Sequence, residues 1–193
     1  MMKRNQKSLL ASLALGTALI VSATSGAQAA VTITIAPSGA DVVATGGGTI
    51  NLSALLLQIN VSATSVINST NGNVRTGGAS NVSLYSGITG PSSFGSGADF
   101  FANSATGAIF GVVGVAGGFI QVPQGYVSNA PLSGTAAWNG KTISSLGLTP
   151  GTYVYNWGSG GTADSFTVQI VPEPSHALLL LGGLGTLALR RRR

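Results

Sequence analysis

Between Ala30 and Ile170 the chain repeats one pattern: a short apolar run, often alternating with polar residues, then a cluster of Gly, Ser, Asn or Pro. Successive side chains of a strand point to opposite faces, so period-two alternation marks a strand with one buried face, and the clusters mark turns. "VTITI" (Val31 to Ile35) puts Val and Ile on one face and Thr on the other, and "NVSLY" (Asn81 to Tyr85) alternates again. "AIFGVVGV" (Ala108 to Val115) and "GFIQV" (Gly118 to Val122) read as strands around a Gly-Gly turn, and "GTAAW" (Gly134 to Trp138) runs into the turn signal "NGK". "GTYVYNW" (Gly151 to Trp157) and "DSFTVQIV" (Asp164 to Val171) flank "GSGGTA", which predicts a hairpin. "TINLSALLLQINVS" (Thr49 to Ser62) is longer and more apolar; one bent strand, two strands, or a strand and a short helix all fit its pattern. "TSVINSTNGNVRTGGASN" (Thr64 to Asn81) is polar and glycine-rich and reads as a loop or ragged edge, and "PSSFGSGADF" (Pro91 to Phe100) as a turn-rich loop.

Many short strands at roughly 8–12 residue spacing predict an all-β body, a β-sandwich or jelly roll, over residues 30–170. A body of about 140 residues buries close to two-thirds of its unfolded surface and needs no staples. None is on offer, since the chain has no cysteine. The alternation assigns Val31, Ile33, Ile35, Phe110, Val112, Val154, Phe166, Val168 and Ile170 to the core. Trp138 and Trp157 are expected to be partly buried, each indole N–H finding an acceptor.

Positive charge is concentrated at the ends. Lys3, Arg4 and Lys7 stand at the front and Arg190, Arg191, Arg192 and Arg193 at the back, while the interior holds Arg75 and Lys141 against Asp41, Asp99, Asp164 and Glu173. The net +5 is therefore a property of the termini. Nucleic-acid binding needs basic residues clustered on a folded surface, and the interior has no such cluster. The one histidine is His176, outside the body, which excludes a histidine triad or histidine metal site there. Three dispersed aspartates leave only a paired-carboxylate hydrolase as a catalytic alternative, and it requires two of Asp41, Asp99 and Asp164 to converge. Isolated aspartates more often mark turns. "GSGGTA" matches G-x-G-x-x-A but precedes a strand pattern, so it reads as a hairpin loop and no dinucleotide site follows. No metal or cofactor site is read from the sequence. Tyr126, Tyr153 and Trp157 are the candidates for stacking on sugars, against the commoner role of such aromatics in packing.

The first 29 residues have the three parts of a signal peptide: the basic start, an apolar run from Leu9 to Val21, and the small-x-small pattern Ala27-Gln28-Ala29. Cleavage is expected after Ala29, leaving Ala30 as the new N-terminus. Export through the Sec translocon and processing by signal peptidase follow. The competing reading, a membrane or core helix, fits the short apolar run and its flank less well.

Residues 171–193 read "VPEPSHALLLLGGLGTLALRRRR". As a helix, Ala177 to Leu189 reaches roughly 20 Å, short of a hydrocarbon core of about 30 Å. The arginines hold that end cytoplasmic, and Pro172 and Pro174 keep the preceding segment extended. Pro172-Glu173-Pro174, the apolar span and the arginine cluster resemble the PEP-CTERM sorting signal of Gram-negative bacteria. The resemblance implies a transient transmembrane helix in the inner membrane, recognition by an exosortase-type membrane protease, and delivery to the cell surface or an exopolysaccharide matrix. The body is similar to a recurrent passenger type of such proteins through "DVVATGGGTINLSAL" (Asp41 to Leu55), "GPSSFGSG" (Gly90 to Gly97), "VPQGYVSNAPLSGTAAWNG" (Val122 to Gly140) and "SLGLTPGTYVYNWGSGGTADSFTVQI" (Ser145 to Ile170). That resemblance implies a Trp at the position of Tyr155, and hence a packing role there. The expectation is an exported, non-enzymatic surface or matrix protein. A carbohydrate-binding adhesin-like module, with Tyr126, Tyr153 and Trp157 together and exposed, and a secreted hydrolase are the alternatives.

Overall fold

The alternation of "VTITI" becomes the spine of the fold. In the computed structural model, which describes residues 30–115 and 117–173, the first strand β1 (Ala30–Ser38) turns at Gly39 into its antiparallel neighbour β2 (Asp41–Thr49). Val31, Ile33 and Ile35 are completely buried while Thr32 is exposed. The last strand, β13 (Asp164–Ile170), runs parallel to β1 on its other side, pairing Ala30 with Ser165 through Ile35 with Ile170. The hairpin partner predicted for β13 is β12 (Gly151–Trp157), in antiparallel register from Gly151–Ile170 to Trp157–Asp164. Its connection is a single 3₁₀ turn (Gly160–Thr162), as the hairpin-loop reading of "GSGGTA" requires. With β11 (Pro131–Trp138) and β8 (Ser104–Gly107) these strands form a six-stranded sheet ordered β12-β13-β1-β2-β11-β8.

A second, seven-stranded sheet contains β3 (Leu56–Ala63), β4 (Val66–Asn68), β5 (Asn73–Thr76), β6 (Ser80–Ser86), β7 (Asp99–Phe101), β9 (Phe110–Val113) and β10 (Phe119–Pro123). Its order is β3-β6-β10-β9-β5-β4-β7. One core joins the sheets: Val31, Ile33, Ile35, Val42, Phe166 and Val168 from the first, with Ile67, Val74, Phe110, Val112, Ile120 and Val122 from the second. The body is therefore all-β, two sheets in a sandwich-like arrangement, with no α-helix among the described residues. Gly46 of β2 shows how closely the sheets approach: a Cβ there would lie 2.6 Å from the tip of the Phe110 ring.

Trp138 and Trp157 are more deeply buried than expected, 1% and 4% exposed, and each indole N–H donates to a backbone carbonyl, of Phe100 and Asn51 respectively, at 2.8 Å. Two expectations need correction. Val154, assigned to the core, is 39% exposed, because Tyr153, Tyr155 and Trp157 take the inward phase of β12 and leave Val154 on the other face. Residues 64–81, read as a loop or ragged edge, hold β4, β5 and the start of β6. Their branched apolar residues, Val66, Ile67 and Val74, are all buried, and β5 sits inside the sheet between β9 and β4. The ambiguous run from Thr49 to Ser62 contains a turn at Ser53 and Ala54 and then β3, without a helix.

Candidate functional site

The body hands over to the tail beside β1. Ile170 is the last strand-paired residue among those described, and the Val171 N–H still donates to the Ile35 carbonyl at 2.9 Å. Pro172 and Glu173 follow on the surface, both exposed. The Glu173 carboxylate accepts the Ile143 N–H at 2.7 Å. That amide opens a tight turn in which Thr142 and Ser145 exchange side chain-to-backbone bonds and the Leu146 N–H returns to the Thr142 carbonyl. The contact borders an open cleft of about 450 Å³ lined by Ser96, Ile143, Ser144, Leu148, Pro150 and Glu173. Pro174, the apolar span, Arg190 to Arg193, and Ala27 and Ala29 at the front lie outside the described residues. Among the described residues, no helix is long and apolar enough to cross a membrane.

Tyr126, Tyr153 and Trp157 do not form an exposed aromatic platform. The Trp157 indole is buried. Tyr126 serves as a clamp: its hydroxyl donates to the Ala130 carbonyl at 2.5 Å and accepts the Ile50 N–H at 3.0 Å. Burial pushes its phenol pKa up, with the Ile50 bond opposing and Asp164 adding to the rise. Tyr153 stands edge-on to Phe94 at 5.0 Å and donates to the Thr149 carbonyl. Each ring is committed to the fold.

The aspartates are also separated. Asp41 begins β2 opposite Ser38, whereas Asp164 begins β13 next to the pairing of Ser165 with Ala30. β1 runs between those two ends, about 30 Å at strand rise. Asp99 belongs to the other sheet. Asp41 accepts the Gly140 N–H at 2.8 Å, which fixes the "NGK" turn, and Asp99 accepts from the Asn68 amide at 2.8 Å. Asp164, 3% exposed, accepts the Asn51 and Ser165 N–H groups, both at 2.6 Å. Burial raises its carboxyl pKa, and those two bonds hold the rise in check. Among the described residues, no three Asp, Glu, His or Cys side chains gather at one point.

Two features escaped the sequence. Arg75 lies flat across the outer face of the second sheet, where Gly111 leaves room for its stem, and its guanidinium donates to Gln121 at 3.2 Å. Desolvation lowers its pKa and Asp99 opposes that shift. The adjoining shallow cleft, about 480 Å³, is lined by Ser62, Ala63, Arg75, Asn81 and Phe101. The second feature is β3, at the edge of that sheet, with Leu56 68%, Leu57 54%, Ile59 55% and Val61 36% exposed. A lone arginine in a polar segment carries no signal of this kind, and edge position depends on pairing with residues far along the chain.

The fold and these surfaces define a two-sheet all-β body with its ionisable groups dispersed. Neither family models, curated proteins nor solved structures give a match to this chain.

Proposed function

We propose that this chain is an exported, non-enzymatic protein of the cell surface or extracellular matrix, routed by a PEP-CTERM-type tail. The observation that carries the proposal is the handover at Ile170: among the described residues β13 is the last strand, and Pro172 and Glu173 follow exposed, ahead of Pro174. A membrane protease that reads an extended Pro-Glu-Pro segment needs it outside the folded sheets. The front end fits the same scheme. Among the described residues β1 pairs from Ala30 onward, so cleavage after Ala29 keeps each of those pairs. The jelly-roll-like wrapping expected of such a passenger belongs to the same proposal.

In this scheme Sec export and signal peptidase release the N-terminus, the apolar span holds the chain in the inner membrane with Arg190 to Arg193 inside, and an exosortase-type protease removes the tail. The dispersed carboxylates and the committed aromatics favour neither the hydrolase nor the sugar-stacking reading. The test is the intact mass of the protein from cells with and without the sorting protease. The proposal expects loss of the C-terminal segment only when the protease is present. An unchanged mass in both strains makes the tail a permanent anchor and overturns it.

A further inference from the structure

Among the described residues the two sheets have four edges, and three are short or partly covered. β7 is three residues long and β8 four. At the β12 edge, Thr89 bonds to Asn156 through both of its backbone groups. The fourth edge is β3, eight residues with no charge, no proline and no glycine. Natural edge strands are blunted by short length, by lysine or proline, by bulges or by a covering segment. β3 has only a bulge, at its start, where the register against β6 shifts between Leu57 and Ile59. From Ile59 to Ala63 the pairing with Leu84 to Ser80 is regular, so the outer rim of that stretch is straight enough to accept another strand.

We propose that β3 pairs antiparallel with β3 of a second copy of this chain, joining the two seven-stranded sheets across a two-fold axis. An added strand forms main-chain hydrogen bonds along the edge and covers apolar side chains on the sheet faces. β3 exposes Leu57 towards the side of Tyr85, and Ile59 and Val61 towards the side of Val82 and Leu84. The strand that matches it along Ile59 to Ala63 is therefore apolar on the face of Ile59 and Val61, neutral and polar on the face of Asn60 and Ser62, and uncharged. β3 meets that description itself, and a two-fold pair sets no like charges opposite each other. The bodies add little repulsion, because the described residues hold two basic groups against four acidic ones. The edge is about 27 Å long and about 10 Å deep, which places the interface below the roughly 1,600 Å² of a standard one. The dimer is accordingly weak and concentration-dependent, with a dissociation constant between about 1 µM and 1 mM.

The absence of native cysteine gives a direct test on the full chain. Opposed residues of an antiparallel pair have Cα atoms about 4.5–5.5 Å apart, within disulfide reach. Gln58→Cys, Asn60→Cys and Ser62→Cys are made singly, with Val127→Cys as an exposed control away from the edge. Under mild oxidation one β3 position crosslinks at least about ten times faster than the control, and the rate falls at its neighbours. In sedimentation, the wild-type mass rises towards the dimer with concentration. Ile59→Lys stays monomeric and Val127→Lys behaves as wild type; both sites are exposed, so thermal melts confirm that the fold is kept. A wild type that remains monomeric to 1 mM, an Ile59→Lys variant that still dimerises, or β3 cysteines no faster than the control each overturns the proposal. A flanking segment of the same chain lying on β3 would produce the first and third of these results.

Discussion

β1 and β3 are both rich in Val, Ile and Leu, yet one is sealed and the other is open. β1 has partners on both sides, β13 and β2, and its three inward side chains are fully buried. Among the described residues β3 has one partner, and it leaves four apolar side chains at least a third exposed. The alternating strand is the sealed one, because alternation records a strand with a core face and a solvent face. The near-continuous run of β3 carries apolar groups on two faces and has only one neighbour to cover them. Hydrophobicity therefore says that a surface needs covering, and position in the sheet decides whether its own chain covers it.

That contrast can be broken most forcefully by equal truncations in the two strands. Ile33→Ala should destabilise the fold by about 2–5 kcal/mol in urea unfolding, since it opens a cavity beneath Phe110 and Gly46. Ile59→Ala should change stability by less than about 0.5 kcal/mol in dilute solution. Equal losses would mean that β3 is covered by its own chain.

Next in size is Asp164, at the Trp157 end of the first sheet. Asp164→Ala removes the acceptor of the Asn51 and Ser165 amides and should cost about 1–3 kcal/mol. The pH dependence has a definite sign. The folded-state pKa is raised, so the folded protein holds this proton more tightly than the unfolded chain does. The contribution of this group is fully present below the unfolded carboxylate value and is lost as pH rises through the folded one. Asp164→Asn should remove that component from the acid side of a stability profile, leaving a curve that falls less on passing from about pH 3 to pH 6.

Tyr155 sharpens the comparison from inside the core. It is 1% exposed, packs edge-on against Phe94, and its hydroxyl is buried without a hydrogen-bond partner among the described residues. Burial drives its phenol pKa well above the usual range. Tyr155→Phe deletes the orphaned hydroxyl and keeps the ring, so it should leave stability unchanged or raise it by up to about 1 kcal/mol. A loss larger than that in thermal unfolding would show the hydroxyl to be paired. The smallest effect is expected at Val154: Val154→Thr, on the outer face of β12, should stay within about 0.5 kcal/mol of the parent.

The parts of the fold written locally were legible. "VTITI", the turn at Asn139 and Gly140, and the β12–β13 hairpin each combine alternation with turn chemistry in adjacent residues. Residues 64–81 were not legible, because β4 and β5 are three and four residues long, too short for a period to develop. Polar residues there are buried through hydrogen bonds that a local pattern does not show, as Ser65 is through the Gly77 carbonyl and Ser69 through the Gly97 N–H. Val154 was misplaced because two phases of β12 are apolar and the larger aromatics took the inside. Of the candidate surfaces, the exposed Pro172 and Glu173 were legible from composition, while Arg75 depends on Gly111, thirty-six positions later, and the open edge of β3 on the order of the whole sheet.

The central claim, that β1 is sealed on both sides while the outer rim of β3 is open, is tested most directly by residue-resolved hydrogen exchange on the full chain at two concentrations. In dilute solution the amides of Val31 to Ile35 should exchange only through global unfolding, and the outward amides of β3 at least about a thousand times faster. In concentrated solution those β3 amides should slow while β1 stays as it was. Protection of β3 equal to that of β1 at both concentrations would contradict the account.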